Sequence, residues 1–234
     1  MNHNPFSHVV IDNFLNTDEA RILSNEFLDY KDSAWFSYNN PFEHKKTLNS
    51  WHLFPPATYK FFCYLNSEQF INSLKDRFNI KNLYSDPGLH GAGWHIHESG
   101  GKLNVHLDYS IHPKMDQQRK LNLILYLTEN WKPEYGGNLE LWSHDPIKNL
   151  PADKINTVDC QFNRAVIFDT TQNSWHGFPE TISCPTGMYR KSIAMYYLID
   201  TPTDVDTRSR ALFSPYKDQC QNADILKLIK DRSK

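Results

Sequence analysis

The sequence predicts an α+β protein that is mainly β: an antiparallel sandwich or barrel with its helices packed on one outer face. Three observations carry this expectation. After Tyr84 the chain breaks into seven short β-like runs separated by turn residues. Before it lie two amphipathic helical stretches. The 234 residues also include 6 Trp, 12 Tyr and 14 Phe, which suits a β-rich core.

The runs are GWHIHES (93–99), KLNVHLDYSI (102–111), KLNLILYLTE (120–129), GNLELWS (137–143), AVIFDT (165–170), NSWHGF (173–178) and RKSIAMYYLI (190–199). HVVIDNFL (8–15) also has strand character. Asn16, followed three residues later by Glu19, marks a helix start for TDEARILSNEFLDY, with Ala20, Leu23, Phe27 and Tyr30 on one face. A second helix begins at Ser67 and uses Phe70, Ile71, Leu74 and Phe78. Leu121, Leu123, Leu125 and Leu127 share one face of their strand, the face those helices should cover, while Asn122, Ile124 and Tyr126 share the other. Asn222 is placed to cap a last short helix. No repeat or low-complexity tract interrupts the chain. It therefore reads as one domain, with helical support at 1–83, a β core at 84–200 and a tail at 201–234.

With 25 Lys+Arg against 27 Asp+Glu, no long-range field attracts nucleic acid or an acidic membrane. The apolar run LNLILYL is too short to cross a bilayer, and MNHNPFSHVV lacks a basic-then-apolar leader, so a cytoplasmic location is expected. Cys63, Cys160, Cys184 and Cys220 form no CxxC pair, which suggests neither a zinc knuckle nor a disulfide framework.

His106 and Asp108 are separated by one residue, so on a strand both side chains point to one face, ~7 Å apart along the chain. The best third ligand is His176, in NSWHGFP. Two histidines and a carboxylate on one octahedral face leave three positions open, the arrangement of non-haem Fe(II) oxygenases. His90, His95, His97, His112 and His144 compete for such a role, the last two in expected loops. On the strand after His176, Arg190 and Ser192 share a face. A guanidinium inside a barrel needs an anion, and the distal carboxylate of 2-oxoglutarate fits it. Tyr126 can give its phenol to the same carboxylate, or serve as an aromatic core filler.

The segments VHLDY, LILYLTENW, YGGNLELW, NRAVIFDT with SWHGF, and YRKSIAMYY, in this order, resemble the 2-oxoglutarate- and Fe(II)-dependent oxygenases of the prolyl 4-hydroxylase-like branch, including bacterial predicted proline hydroxylases. The resemblance covers residues 84–199. It implies a double-stranded β-helix (jelly roll), with His106, Asp108 and His176 binding Fe(II), and with Arg190 and Tyr126, assisted by Ser192, holding the 5-carboxylate of 2-oxoglutarate. Ile124 and Leu139 would line the co-substrate pocket. Where hypoxia-type relatives carry a further co-substrate tyrosine, this chain has WHIHES, so Trp94, His95 or His97 stands in its place or meets the substrate. The implied reaction is hydroxylation of an unactivated C–H bond with O2, releasing succinate and CO2, with ascorbate as reductant. Asp108 favours hydroxylation, because halogenating members lack that carboxylate.

The branch implies a prolyl residue of a protein or peptide as substrate. The alternatives are a free amino acid, glycan or small metabolite, or, in another class, a non-catalytic jelly-roll metal-binding protein. Arg190 argues against the last, since a structural metal has no need of an anion-binding arginine. WHIHESGGK, IHPKMDQQRK and the tail TRSRALFSPYK, with Arg208 and Arg210, are the candidate substrate-facing segments.

Overall fold

The computed structural model describes residues 1–232. The N-terminal third is a mixture of strands and helices: β1 (His8–Ile11), α1 (Thr17–Asn25), β2 (Phe36–Asn39), β3 (Glu43–Leu48), α2 (Pro56–Leu65) and α3 (Glu68–Phe78). Asn16 and Ser67 cap α1 and α3 as expected, their side chains accepting from the backbone N–H of Asp18 and Phe70. The first helix stops at Asn25, short of the expected stretch. Glu26 instead turns its carboxylate to the start of α2, accepting from the N–H of Ala57 at 3.0 Å and Thr58 at 2.6 Å. That carboxylate supplies the cap Pro55 cannot, and it sits where the helix dipole favours negative charge.

The remainder is β4 (Tyr84–Ser85), β5 (Gly93–His97), β6 (Lys102–Leu107), β7 (Gln117–Tyr126), β8 (Leu139–Asp145), β9 (Leu150–Val158), β10 (Ala165–Asp169), β11 (Trp175–Phe178), β12 (Arg190–Asp200) and β13 (Leu212–Phe213), then α4 (Ala223–Arg232). Asn222 caps α4, accepting from Asp224 and Ile225. His144 lies in β8, not in a loop.

The strands pair antiparallel in the order β1-β10-β7-β12-β5-β3-β6-β11-β8-β9, and the sheet curls over until it nearly closes. This is the double-stranded β-helix. The leucine face of β7 is covered as expected: Leu121, Leu123, Leu125 and Leu127 are fully buried with Leu23 of α1, Phe62 and Leu65 of α2 and Phe70 and Leu74 of α3. Each such side chain contributes about 1.5–3 kcal/mol by leaving water.

Residues 1–83 are not only helical support. Strand β3 inserts between β5 and β6, pairing Thr47 with His95 and Glu43 with Leu103, so this segment completes the barrel wall. Nor is the tail separate from the core, because β13 pairs with β6 and sets Phe213 opposite His106. Among the described residues no helix is long and apolar enough to cross a membrane.

Candidate active site

The two halves of the curled sheet enclose a cavity of about 710 Å³, open at one end. Alternation along the strands decides what enters it. His95 and His97 of β5, Asn122 and Ile124 of β7, Leu139 of β8, and Arg190, Ser192, Ala194 and Tyr196 of β12 all line it. Between β6 and β11 the register slips. His176 faces His106, but Phe178 faces Leu103, so β6 carries one extra residue there. Gly177 permits the slip, since a Cβ on it would lie 2.7 Å from the carbonyl oxygen of Asn104 and 2.8 Å from that of Leu103. The two histidines are direct cross-strand partners beside the bulge, with ring centroids 4.4 Å apart.

Asp108 lies just past the end of β6. Its Oδ1 is 3.6 Å from His106 Nε2 and its Oδ2 is 3.8 Å from His176 Nε2. One ligand atom from each of the three residues falls within 4.8 Å of the others, a spacing a single metal ion can bridge. Both imidazoles are fixed in the useful tautomer: Nδ1–H of His106 donates to the Asn104 carbonyl at 2.9 Å, and Nδ1–H of His176 to that of Ser174 at 2.8 Å. Each Nε2 lone pair is thereby directed at the shared point. Burial, with His106 next in effect, brings His176 down to about 4, so its ring is neutral at ordinary pH. Burial works against ionisation of Asp108, but Arg119, His106 and His176 outweigh it and hold the carboxyl well below its usual range.

Arg119 is the residue that sequence reasoning missed. It belonged to the polar segment IHPKMDQQRK, and strict alternation along β7 would put it on the outer leucine face. A register shift between the Tyr197–Leu121 and Leu198–Arg119 pairs turns it inward. Its Nη2 donates to the His90 carbonyl at 3.1 Å. Asn122 adds a hydrogen bond from Nδ2 to Asp108 Oδ2 at 3.3 Å.

Arg190, at the start of β12, is 4% exposed and has no carboxylate within ion-pair distance among the described residues. Its Nε donates to the Gly137 carbonyl at 2.8 Å and lies 3.1 Å from Cys160 Sγ, and its guanidinium lies between the rings of Phe178 and Tyr126, at 4.6 and 5.0 Å. The chain passes Arg190 closely at Gly137, where φ is +72° and a Cβ would meet Arg190 Cδ at 2.8 Å. Ser192 faces Tyr126 across the β12–β7 ladder, and the buried Tyr126 hydroxyl, on the Arg190 side, has no partner at full hydrogen-bond geometry among the described residues. A buried cation and an unsatisfied hydroxyl side by side form a socket for an anion.

Tyr126 packs behind Arg190 and is not itself on the cavity wall, whereas Ser192, Ile124 and Leu139 are. His95 and His97 line the cavity. Burial, then Lys45, brings His95 down to about 3, and burial, then Arg190, pushes His97 well below its ordinary value, so both rings are neutral. Among the described residues neither ring nitrogen of His97 has a partner at full hydrogen-bond geometry. Trp94 is a correction to the expected pocket residues. It points the other way, fully buried and stacked on Phe27 at 4.7 Å beneath the helices. Period-two alternation forbids neighbours on one strand from sharing a face, so that signal was present in the sequence.

A jelly roll holding two histidines and a carboxylate with one open side is the architecture of a facial-triad oxygenase. Residues 92–198 match the 2OG-Fe(II) oxygenase superfamily. The matched segment, under half of the chain, carries the 2OG-Fe(II) oxygenase signature, and the chain as a whole has a prolyl hydroxylase-like fold. Comparison with curated protein sequences gives no match. Among solved structures, the chain is similar to a Pseudomonas putida prolyl-4-hydroxylase (16% identity, 83% of this chain and 92% of that one, TM-score 0.57). It is also similar to a Trichoplax adhaerens prolyl hydroxylase in complex with a peptide fragment of the hypoxia inducible factor oxygen degradation domain (17%, 82% and 83%, TM-score 0.58). A third is HygX from Streptomyces hygroscopicus with nickel, 2-oxoglutarate and hygromycin B bound (12%, 84% and 83%, TM-score 0.53).

Proposed function

We propose that the protein hydroxylates an unactivated C–H bond of a peptidyl prolyl residue, using Fe(II), 2-oxoglutarate and O2. The single observation that carries this reading is the convergence of His106 Nε2, Asp108 and His176 Nε2 on one point of a cavity that also holds Arg190 without a counter-anion. The donor set fits the metal, and the socket fits a carboxylate. His106, Asp108 and His176 would hold Fe(II). Arg190, backed by Tyr126 and assisted by Ser192, would bind the 5-carboxylate of 2-oxoglutarate, and Ile124 and Leu139 would flank its carbon chain. Fe(II) held there would supply the oxidising chemistry, by which one atom of O2 would enter the C–H bond and the other succinate, as 2-oxoglutarate loses CO2.

The chain's own contribution is placement. The bulge at Gly177 fixes the two imidazoles, Arg119 and Asn122 hold the Asp108 carboxylate, and the neutral His95 and His97 offer donors and acceptors without adding charge. Ascorbate is the expected reductant for keeping the iron ferrous.

The peptide bound to the Trichoplax adhaerens enzyme supports a peptidyl substrate. The hygromycin B bound to HygX supports the second reading, a free small molecule. Succinate release from 2-oxoglutarate with Fe(II), ascorbate and air tests the chemistry. Wild type should release succinate and His106→Ala should not, and equal release by both would defeat the proposal. Mass spectrometry for a +16 Da product on proline-containing peptides against free amino acids divides the two substrate readings.

A further inference from the structure

The cavity wall carries five cationic side chains, Lys45, Arg119, Arg190, Arg210 and Arg232, against two carboxylates, Glu43 and Asp108. In the reading above, Fe(II) and the dianion of 2-oxoglutarate cancel one another, so loading the site leaves the excess of positive charge in place. Two of the cations are already matched at depth: Arg119 by Asp108 at 3.2 Å and Arg190 by the co-substrate carboxylate. For the other three the cavity wall offers one acid, and it pairs with only two of them. Glu43 is 3.2 Å from Lys45 Nζ through Oε2 and 3.6 Å from Arg232 Nη2 through Oε1. Arg210, exposed on the tail, has no ion-pair or hydrogen-bond partner among the described residues.

Lys45 is held inward by the alternation of β3, with its side chain only 13% exposed and its ammonium 5.1 Å from the Tyr38 ring. A charged amine kept this dry needs anions, and half of a shared carboxylate is a poor supply. Arg232 is otherwise occupied, lying over the Phe42 and Phe213 rings at 5.7 and 5.3 Å. That leaves Lys45 from one wall and Arg210 from the tail as cavity-lining cations with unused capacity.

We propose that the substrate of this oxygenase presents a carboxylate to Lys45 and Arg210, so that these two residues select acidic substrates. The inference rests on the oxygenase reading of the cavity. The carboxylate belongs either to an Asp or Glu side chain of a peptide or to a free acid, and the experiment separates the two sources.

Full-length protein is loaded with Mn(II) and 2-oxoglutarate, and binding is measured for two matched pairs of probes. One pair is a proline-centred nonapeptide flanked by Asp and Glu and its Asn and Gln counterpart. The other is N-acetyl-L-proline and N-acetyl-L-prolinamide. We expect the acid to bind at least tenfold more tightly than its amide in one pair, and that pair identifies the source. The preference should shrink several-fold in Lys45→Gln and in Arg210→Gln and disappear in Arg210→Glu.

Because the acid-to-amide ratio is taken within each variant, partial loss of folded protein cancels, and Arg210, exposed on the tail, remains informative if Lys45→Gln does not fold. Equal binding of acid and amide in both pairs, no binding of either acid, or a preference untouched by Arg210→Gln overturns the inference. Succinate release by the same wild-type preparation is scored separately: its absence counts against the oxygenase reading, and its presence without an acid preference counts against this inference alone.

Discussion

Arg119 Nη1 lies 3.2 Å from Asp108 Oδ1, and the guanidinium is clamped between the rings of Tyr109 and Tyr196, each 3.3 Å from Cζ. The only acid in the metal triad therefore has a fixed cationic partner that is itself fixed by two aromatic faces. Replacing Arg119 with Met leaves a buried carboxylate without its cation. The metal-free protein should lose about 3–5 kcal/mol of stability. Mn(II) should restore part of that loss by supplying another positive charge. Urea denaturation in EDTA and in Mn(II) checks this, and an equal loss under both conditions would refute it.

Metal binding to the native state alone stabilises by mass action. At a free Mn(II) concentration one hundred times its Kd the gain should be about 2.7 kcal/mol. Asp108→Ala and His176→Ala should show no such gain. A full shift in either variant would mean that the metal sits elsewhere.

On the proposed reading, Arg190→Ala removes a charge-assisted pair to the co-substrate. The 2-oxoglutarate requirement should rise by an amount equivalent to about 2–4 kcal/mol, roughly thirtyfold to several hundredfold. A 2-oxoglutarate titration of succinate release measures it, and unchanged dependence would place the carboxylate at another residue.

Gly177→Ala places a methyl group against the Asn104 and Leu103 carbonyls. Overpacking of this kind costs about 1–3 kcal/mol. The same methyl group would push His176 away from His106, so Mn(II) affinity should fall along with the melting temperature. A fall in stability with full metal affinity would show that the bulge does not set the spacing of the two histidines.

Much of this architecture is legible locally. Asn16, Ser67 and Asn222 each place a helix, because a cap needs only a side chain and the next two or three amides. The outward leucines of β7 and the pairing of His106 with Asp108 follow from the period of a strand. Strand β3 escaped because EHKKTL has no apolar face. Its burial comes from β5 and β6 on either side, more than fifty residues away for the latter. Helix α2 escaped because its N-terminal cap is the carboxylate of Glu26, thirty residues upstream.

The sequence by itself determined the class of fold, the arginine strand and the candidate ligand set His106, Asp108 and His176, since each depends on residue chemistry and on alternation within a few residues. The tertiary structure alone decided which other side chains share the cavity. Two register slips, one beside Gly177 and one beside Arg119, reverse the alternation, so that Leu103 and His106 both line the cavity and Arg119 reaches Asp108. A slip is set by how two distant strands pair, and no property of either strand announces it. The same holds for the tail, where Phe213 and Arg210 line the cavity because β13 pairs with the strand that carries His106.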